Sequence, residues 1–451
     1  MRFATLEGKR IAVWGAGREG RAALAALRSR LPGQALTLFC GEGEAGDLAG
    51  DDSLAIRREP PGADTLSAFD VVVKSPGISA YKPEIEAARK QGTTFTSGTA
   101  LWFGERPDAR VIGITGTKGK STAAAMTAHL ARALGVRTAL AGNIGLPLLE
   151  LIDAEAELWV VELSSFQTAE AGPLAVGVVT SLYEEHLDWH GSRERYVADK
   201  LKLADAARTL LVNATQPDLM ARTALHARRV GFGEQEGWHV ADGAIHRGRE
   251  RLFETAALTI RGAHNALNAC AALAALELSG FDAVAAVPAL AGFRPLPHRL
   301  QTLGEQDGVA WINDSISTTP AAALAALRSL DGARVAIVLG GHERGVDWQA
   351  FATALATQPP HAVVVQGANR ARILAALRAA GMPATLCEAE DLETAVARAR
   401  EAVPPGGIVL LSPGAPSFDQ FRDYTERGRR FAALAGFDPA RIAGIEGLGV
   451  S

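Results

Sequence analysis

The chain has 451 residues, of which 48% are hydrophobic and 21% are charged. This composition is typical of a globular protein, and the length indicates about three domains of about 150 residues each. The formal net charge of −4 argues against a general binder of nucleic acid or anionic membranes. The three cysteines are far apart, which predicts reduced thiols in a cytoplasmic protein. The N-terminus is charged and no uncharged apolar run reaches about 18 residues, so we expect neither a signal peptide nor membrane insertion.

The first predicted element is a buried strand at residues 10–14, followed by the turn GAGREG at 15–20 and a helix. A GxGxxG turn between a strand and a helix is typical of diphosphate-binding sites. An NAD site has an acidic residue after the next strand, where this chain has Phe39 and Cys40. NAD, another diphosphate ligand such as a UDP-sugar, and a turn without a ligand are therefore all open. Ser75 follows another predicted strand and is expected to face the same ligand.

A second unit opens with an apolar strand at 111–115, the turn GTKGKST at 116–122 and an Ala-rich helix. This arrangement predicts a phosphate loop, in which Lys120 reaches the β- and γ-phosphates and the Ser121 hydroxyl holds Mg²⁺. The spacing is unusual, because Ile114 rather than glycine stands five positions before Gly119. An ordinary glycine-rich turn remains the alternative.

Polar residues follow several later elements of this unit. Glu162 ends an apolar strand, where it either completes a Mg²⁺ shell with Ser121 or is a solvated acid. Residues 184–191 (EEHLDWHG) are dense in acids and histidines. Lys200 shares a helix face with Tyr196, and a surface salt bridge is the default interpretation of such a lysine. Asn265 and Asn268 lie at the start of a long helix. Their side-chain amides either cap this helix or contact the edge of an adenine.

The last third alternates strands and helices, which predicts a mostly parallel, doubly wound sheet. A Pro-rich linker at 293–300 precedes it. Strands are predicted at 309–313, 334–339, 361–366 and 408–411, and helices at 320–330, 348–357, 369–380, 390–402 and 423–435. Polar and glycine-rich segments at 313–315, 339–345 and 412–421 follow strands, where an α/β domain binds its ligand.

Taken in order, these motifs resemble the Mur ligase family. The motifs that carry the resemblance are GITGTKGKST (113–122), GNIG (142–145), ELSSFQ (162–167), EHLDWHG (185–191), YxxxK (196–200), HNxxN (264–268), PHRL (297–300) and NDS (313–315). The segment SPxxxSFDQF at 412–421 with ERG at 426–428 is similar to the glutamate-adding members, and the DNPR signature of the diaminopimelate- or lysine-adding members is absent.

The resemblance implies an α/β fold of three domains: a Rossmann-like UDP-binding domain (1–98), a P-loop-type ATPase domain (99–296) and a Rossmann-like amino-acid-binding domain (297–451). It implies a cytoplasmic, monomeric, ATP-dependent ligase of peptidoglycan biosynthesis. Such an enzyme joins glutamate to UDP-N-acetylmuramoyl-L-alanine through an acyl phosphate. Two Mg²⁺ ions and a carbamylated Lys200 are part of this expectation, because a carbamate turns a cation into the oxygen ligand that a hard cation requires. We expect no nucleic-acid partner.

The resemblance also assigns roles to individual residues. The expected catalytic residues are Lys120, Glu162, His186 and Lys200, and the expected metal ligands are Ser121, Glu162, His186 and Lys200. The positions that match ATP contacts are Gly116, Thr117, Lys118, Gly119, Lys120, Ser121, Thr122, Asn265, Asn268, Arg299 and Asp314. The positions that match contacts with the UDP substrate are Gly17, Arg18, Glu19, Ser75, Asn143, Ser164 and Gln167. The positions expected to hold glutamate are Thr318, Arg344, Ser417 and Tyr424.

This chain departs from the family pattern at two places. The usual Asp that contacts uracil is replaced within residues 39–41, so uracil is expected to be held differently. At the glutamate end, Ile316 replaces a lysine, Arg344 replaces another lysine and Tyr424 replaces a phenylalanine. Losing one cation and changing another from a point charge to a planar fork is expected to re-aim the amino acid. A divergent branch of the family adds L-glutamate, and because the altered cations change the carboxylate geometry, we favour L-glutamate over D-glutamate.

Three other classes are weighed against this hypothesis. Folylpolyglutamate synthase has a similar loop, but its loop lies close to the N-terminus, whereas here about 100 residues with their own GxGxxG precede it. A dehydrogenase is supported by that GxGxxG alone. A non-catalytic UDP-sugar-binding module does not account for Lys120, Glu162, His186 and Lys200 together.

Overall fold

The computed structural model describes residues 1–41, 48, 54–183, 192–260, 262–294, 296–330, 332–343, 345–442 and 448–451. The chain forms two compact units, residues 1–293 with 447–451 and residues 294–446. The domain boundaries at residues 98 and 296 stay predictions.

The first unit begins with a five-stranded parallel sheet. Its strands are β1 (Ile11–Trp14), β2 (Leu36–Phe39), β3 (Leu54–Arg57), β4 (Val71–Lys74) and β5 (Thr94–Thr96). Its helices are α1 (Arg18–Arg30), α2 (Ala63–Ser67), α3 (Pro83–Lys90) and α4 (Gly98–Glu105). The strand order is β3-β2-β1-β4-β5. The neighbouring strands β1 and β4 are buried along their whole length. Because β1 and β4 are parallel neighbours, the GAGREG turn and Ser75 follow adjacent strand ends.

A second sheet of this unit has seven strands. They are β6 (Val111–Thr115), β7 (Thr138–Gly142), β8 (Leu158–Glu162), β9 (Leu174–Val179), β10 (Ala207–Asn213), β11 (Arg229–Phe232) and β21 (Gly449–Val450). The order is β11-β10-β9-β6-β8-β7-β21, and β21 is antiparallel to β7 while the other pairs are parallel. The surrounding helices are α5 (Lys120–Ala133), α6 (Arg193–Leu201), α7 (Leu203–Ala206), α8 (Pro217–Arg222), α9 (Ala263–Leu278) and α10 (Ala283–Ala286).

A separate three-stranded antiparallel sheet also belongs to this unit. Its strands are β12 (Trp238–Ala241), β13 (Ala244–Arg247) and β14 (Glu250–Glu254). Short 3-10 helices complete the described part of the chain at Phe3–Leu6, Leu148–Leu151, Thr168–Glu170, Thr255–Ala257, Val287–Gly292 and Pro439–Arg441.

The second unit contains a six-stranded sheet. Its strands are β15 (Gln301–Gln306), β16 (Val309–Asn313), β17 (Val335–Leu339), β18 (Ala362–Val365), β19 (Thr385–Glu388) and β20 (Ile408–Leu411). Its helices are α11 (Pro320–Arg328), α12 (Gln349–Thr357), α13 (Arg370–Ala379), α14 (Leu392–Ala402) and α15 (Tyr424–Leu434). The order is β15-β16-β20-β17-β18-β19, with only β15 antiparallel to its neighbour among these strands.

Apolar cores cover both faces of this last sheet. Side chains of β17 alternate between two buried clusters: Val335, Ile337 and Leu339 lie in one, Ala336 and Val338 in the other. A parallel strand buried on both faces is expected to be apolar throughout, and β17 (VAIVL) is. In the described ranges, no helix has both the length and the apolar character that a membrane span requires.

Candidate active site

The turn between β6 and α5 has the geometry of a phosphate loop. Gly119 has φ of +85°, and α5 begins at the next residue, Lys120. A Cβ atom on Gly116 would lie 2.0 Å from Thr180 Oγ1, and one on Gly119 would lie 2.4 Å from Asn268 Oδ1. Packing therefore requires glycine at both positions. The start of α9 lies beside the loop, as expected if α9 contributes to the same site.

Hydroxyl groups at the end of β9 hold the loop in place. Lys118 donates its backbone N–H to Ser181 Oγ at 2.8 Å, and Thr180 Oγ1 donates to Lys118 O at 2.6 Å. The Thr117 N–H bonds the Ser181 carbonyl at 2.9 Å. The loop conformation is therefore fixed by the protein, which reduces the ordering that a phosphate ligand would have to impose.

Helix α6 contacts the same loop through two of its side chains. The Tyr196 hydroxyl lies 2.7 Å from Thr117 Oγ1, and Lys200 Nζ donates to the Gly116 carbonyl at 3.1 Å. Lys200 is 2% exposed, with its ammonium 5.0 Å from the Tyr196 ring centroid. The surface salt bridge that a lone lysine suggests is therefore the wrong interpretation of Lys200.

Glu162 ends β8 between the ends of its two neighbours, since it is in register with Ile114 of β6 and Gly142 of β7. Its side chain is fully buried. Asn143 Nδ2 donates to its Oε1 at 2.8 Å, whereas its Oε2 has no hydrogen-bond partner among the described residues. A buried carboxylate oxygen without a partner is unfavourable unless a cation or a donor joins it. The solvated-acid interpretation of Glu162 is therefore wrong.

Other predicted contacts of the ATP site are placed as follows. Ser121 and Thr122 are buried in the first turn of α5. Asn268 Nδ2 donates to Asn265 Oδ1 at 3.3 Å, and Gly262 occupies the N-cap position of α9. His186 lies outside the described residues. Within the described ranges no group of three or more His, Cys, Asp or Glu side chains forms a metal cage.

At the GAGREG turn, Ser75 lies against the glycines. A Cβ atom on Gly15 would lie 2.6 Å from Ser75 Oγ, and one on Gly20 would lie 3.3 Å from it. This hydroxyl is buried and finds no partner in the described part of the chain. Gly17 caps α1, and Arg18 Nη1 donates to the Gly145 carbonyl at 2.9 Å. The turn, Ser75 and the 142–146 loop are thus linked.

A group of buried charges beside α1 was not expected. Burial raises the pKa of Glu19 to about 7, and the carboxylates of Glu170 and Glu150 add to the shift. Burial also raises the pKa of Glu170, which accepts a hydrogen bond from Ser97 Oγ. Lys74 is 3% exposed and burial lowers its pKa. These residues belong to separate elements, so no local motif marks them.

Two further residues that are predicted to contact the substrate form hydrogen bonds within the protein. Ser164 Oγ donates to Gln167 Oε1 at 2.8 Å, and Gln167 Nε2 donates to Thr99 Oγ1 at 3.1 Å. Gln167 is 1% exposed, so it shapes the loop after β8. A contact that the sequence did not reveal joins the Tyr81 hydroxyl to Asp199, the residue before Lys200, at 2.6 Å. Burial and this contact raise the pKa of Tyr81.

In the second unit, the segment after the Pro-rich linker is tied to β16. Asp314 accepts hydrogen bonds from Leu300 N at 3.1 Å and from Ser412 Oγ at 2.7 Å. His298 has φ of +61°, and its Nδ1 accepts from Asn313 Nδ2 at 3.0 Å. Burial lowers the pKa of His298 to about 4, so its ring is neutral near pH 7. Asp314 therefore has a structural role in fixing this segment.

Arg427 connects the ends of β16 and β17. Its Nε and Nη2 donate to Ser315 Oγ and Ser315 O at 3.1 and 2.8 Å, and Ser315 Oγ donates to Tyr424 O at 2.8 Å. Its Nη1 is buried without a hydrogen-bond partner among the residues that the structure describes. A Cβ atom added to Gly341 would lie 3.1 Å from this nitrogen. Burial lowers its pKa to about 10, so it remains a cation near pH 7. We name this group the Ser315–Arg427 cluster.

Of the residues predicted to hold glutamate, Tyr424 contacts this cluster through its carbonyl, which accepts the hydrogen bond from Ser315 Oγ. Ser417 is buried, and Thr318 and Tyr424 are half-buried. Pro416 O, beside Ser417, accepts a hydrogen bond from His342 N at 2.8 Å, which joins the ends of β17 and β20. Ile316 is half-buried next to Ser315. Arg344 lies outside the described residues, and the side chain of Arg299 is half-buried.

Comparison with known proteins gives full-length relatives. The chain is 50% identical over 468 aligned positions to the UDP-N-acetylmuramoyl-L-alanine--L-glutamate ligase of Xanthomonas euvesicatoria pv. vesicatoria (strain 85-10), with 100% of both chains covered. It is 39% identical to the protein of that name from Micromonospora sp. (strain ATCC 39149 / NRRL 15099 / SCC 1413), with 96% of this chain and 97% of that protein covered.

Domain models and solved structures agree with these relatives. Residues 114–276 match the Mur ligase middle domain, and residues 298–414 match the Mur ligase glutamate ligase domain. The crystal structure of UDP-N-acetylmuramate-alanine ligase MurC from Thermotoga maritima matches with a TM-score of 0.61 at 21% identity, over 95% of this chain and 99% of that one. The α/β fold of three domains and the ATP-dependent ligase class predicted from the sequence are thereby confirmed. The motifs, the phosphate loop and the full-length relatives together show that this chain belongs to the Mur ligase family.

Proposed function

We propose that this chain joins L-glutamate to the carboxyl group of UDP-N-acetylmuramoyl-L-alanine, with ATP converted to ADP and phosphate, in peptidoglycan biosynthesis. The observation that carries the proposal is the phosphate loop beside a buried strand-end carboxylate, Glu162, whose Oε2 lacks a partner among the described residues. The full-length identity to chains named as L-glutamate ligases supports the choice of substrates.

The reaction needs an activated carboxyl group, because a carboxylate is a poor electrophile. A carboxylate oxygen of the muramoyl substrate attacks the γ-phosphate of ATP, ADP leaves, and an acyl phosphate forms. The amine of glutamate then attacks the acyl carbon and phosphate leaves. Phosphoryl transfer depends on positioning and charge neutralisation. The backbone N–H groups of the loop and the ammonium of Lys120 serve both needs.

A divalent cation fits the residues next to the loop. Glu162 Oε2 is a buried oxygen without a described partner, and Ser121 offers a hydroxyl at the start of α5. Oxygen ligands are those that Mg²⁺ prefers. When bound, Mg²⁺ supplies neutralisation of charge on the transferring phosphoryl group. Asn143 fixes the other oxygen of Glu162 and so orients the carboxylate.

A second cation site is proposed at Lys200 and His186. Lys200 Nζ is buried 3.1 Å from the Gly116 carbonyl, so the side chain already ends beside the phosphate loop. Carbamylation would replace its ammonium by two oxygens, the ligand type that a hard cation requires. Asp199, bonded to Tyr81, holds the same turn of α6.

The UDP end of the substrate is proposed to bind at the GAGREG turn. The N-terminus of α1 provides backbone donors at Gly17, Arg18 and Glu19. The Ser75 hydroxyl, buried and unpartnered among the described groups, supplies a further contact. Asn143 and Ser164 follow β7 and β8, and are proposed to contact the muramoyl part.

The amino acid is proposed to bind at the Ser315–Arg427 cluster with Thr318, Ser417 and Arg344. Arg427 Nη1 offers a buried cation for one carboxylate. Ile316 stands where the usual D-glutamate enzymes have a lysine, so one cation is absent from its usual direction. Because the set of cations differs, the two carboxylates of glutamate are held at exchanged positions. This arrangement favours binding of the L enantiomer.

The test is product analysis with purified protein, UDP-N-acetylmuramoyl-L-alanine, ATP and Mg²⁺, comparing L- with D-glutamate. We expect equal amounts of phosphate and dipeptide product with L-glutamate, and at least about 10-fold less with D-glutamate. Product with D-glutamate alone would overturn the stereochemical proposal and establish the standard D-adding activity. No product with either would overturn the ligase. A folate acceptor and NAD(H), included as controls for folylpolyglutamate synthase and dehydrogenase activity, are expected to give no reaction and no binding.

A further inference from the structure

The edge of the seven-stranded sheet is covered by residues from the far end of the sequence. The last strand, β21, pairs antiparallel with β7, with Gly449 opposite Leu140 and Val450 opposite Ala139. Ser451 continues the pairing with the first residue of β7 through two backbone hydrogen bonds, of 2.9 and 3.2 Å. Val450 packs against the core of the unit. Three consecutive residues are therefore paired with β7.

A half-buried arginine secures this strand to the phosphate-loop helix. Arg132, in the last turn of α5, donates from Nη2 to Thr138 O at 2.7 Å and to Gly449 O at 3.2 Å. Its Nε donates to Ser451 O at 3.3 Å. Because one guanidinium bonds both strands, β21 is held by a side chain as well as by its backbone pairing.

Strand β7 leads directly into the 142–146 loop, which positions Glu162. In this loop Gly142 N donates to Leu146 O at 2.7 Å, and Asn143 N donates to Glu162 O at 2.9 Å. The amide of Asn143 also bonds Glu162 Oε1. Leu448 precedes β21, and a Cβ atom added to Gly145 would lie 3.8 Å from Leu448 Cδ1. The segment 448–451 therefore pairs with β7, and its Leu448 side chain lies beside the loop that follows β7.

We propose that the segment 448–451 is a positioning element for the catalytic carboxylate. It fixes β7 and the 142–146 loop, so that Asn143 holds Glu162 Oε1 and leaves Oε2 directed to the divalent cation. Without it, β7 would be an edge strand with unpaired backbone groups, and the loop would lose the contact with Leu448. This inference rests on the proposed function for the role of Glu162.

The first test measures the loop itself and does not need activity. Amide hydrogen exchange is compared in the full chain, a chain that lacks residues 448–451, and the variants Leu448→Gly and Ser451→Ala. We expect the amides of residues 142–146 to exchange about 10-fold faster in the truncated chain and severalfold faster in Leu448→Gly. Ser451→Ala keeps the backbone pairing and is the matched control, with unchanged exchange expected.

The second test measures catalysis at a temperature well below the melting midpoint of every variant. We expect the Mg²⁺ concentration for half-maximal activity to rise about 10-fold in the truncated chain, as for outer partners of metal ligands. KM for ATP is expected to change less than about 2-fold. If the full chain lacks ligase activity, the proposed function fails while the exchange test still decides the positioning role.

Two results would overturn the inference. One is equal exchange of residues 142–146 in all four chains. The other is a truncated chain that self-associates through the exposed edge of β7 but retains the same Mg²⁺ requirement, because β21 would then serve only to cover the edge.

Discussion

The phosphate loop and the Ser315–Arg427 cluster are both built at the ends of parallel strands, but by different means. The loop is formed by consecutive residues whose glycines pack against Thr180 and Asn268. The cluster is formed by buried side chains that are more than 100 residues apart, as Ser315 and Arg427 are. In the loop, backbone groups are the ones that we propose to bind the phosphates. In the cluster, side chains mostly bond one another and leave Arg427 Nη1 unpaired among the described groups.

In the proposed function, phosphoryl transfer takes place at the loop and the amino acid is selected at the cluster. The two tasks therefore depend on two differently built regions. Backbone donors in a glycine-rich loop bind any nucleotide phosphate and tolerate little change, because each glycine is closely packed. Charged side chains around a cluster recognise one arrangement of carboxylates, and a single substitution alters it. We therefore expect substitutions near the loop to abolish activity, and substitutions near the cluster to change which glutamate is used.

The largest effect is expected for Glu162→Gln. The amide removes the negative charge of the buried oxygen that we assign to the divalent cation, so kcat should fall by about 10³-fold or more. Steady-state phosphate release measures it. Glu155→Gln, in an exposed pair with Arg106, is the matched control and should stay within about 2-fold. A Glu162→Gln enzyme with normal kcat and Mg²⁺ requirement would contradict the assignment.

Lys200→Ala should lower activity by about 10²-fold or more, because it removes the group that we assign to the second cation. Added bicarbonate should not restore the activity of this variant. In protein exposed to ¹³C-labelled bicarbonate, a carbamate carbon signal should be present in the full chain and absent from the variant. Lys90→Ala, at an exposed position of α3, is the control, with both signal and activity retained. Full activity in Lys200→Ala would eliminate the carbamate.

Ile316→Lys tests the other region. The new cation stands beside Ser315 and should favour the D enantiomer, changing the ratio of kcat/KM for L- over D-glutamate by about 10-fold or more. KM for ATP should be unchanged. Thr385→Lys, which adds the same charge at an exposed position of β19, should leave the ratio as it is. An unaltered ratio in Ile316→Lys would remove this residue from the account of selectivity.

The smallest effect concerns Glu19. Burial raises the pKa of Glu19 to about 7 in the folded protein, from its ordinary value of 4.5. Between these values the folded state binds more protons than the unfolded state, so the free energy of unfolding falls as pH rises. Glu19→Gln should therefore raise it by about 1–2 kcal/mol at pH 8 and change it little near pH 4.5, after allowance for partial exposure.

Denaturant unfolding at several pH values measures this difference. Glu7→Gln, at an exposed position, is the control and should show no such pH dependence. An equal effect of Glu19→Gln at pH 4.5 and pH 8 would mean that the Glu19 carboxyl titrates normally in the folded protein.

Features that depend on local sequence were predicted, and those that depend on long-range packing were not. The phosphate loop, the strand-end position of Glu162 and the alternation of β16, β17, β18 and β20 with helices follow from contiguous patterns, whereas β19 was not predicted. The pairing of β21 was missed because two residues carry no periodicity. The bond between Tyr81 and Asp199, and the buried charges around Glu19, join distant elements and leave no local signal. Gln167 matched a substrate-facing position, but its amide is engaged with Ser164 and Thr99.

The fate of the carboxylate oxygen tests the central claim most directly. In the proposed reaction, one carboxylate oxygen of UDP-N-acetylmuramoyl-L-alanine attacks the γ-phosphate and leaves with phosphate when the amine of L-glutamate attacks. If the substrate carboxylate is labelled with ¹⁸O, mass spectrometry should find one ¹⁸O in each released phosphate and one in the new amide product. Release of phosphate that carries only unlabelled oxygen, with turnover proceeding, would contradict the account.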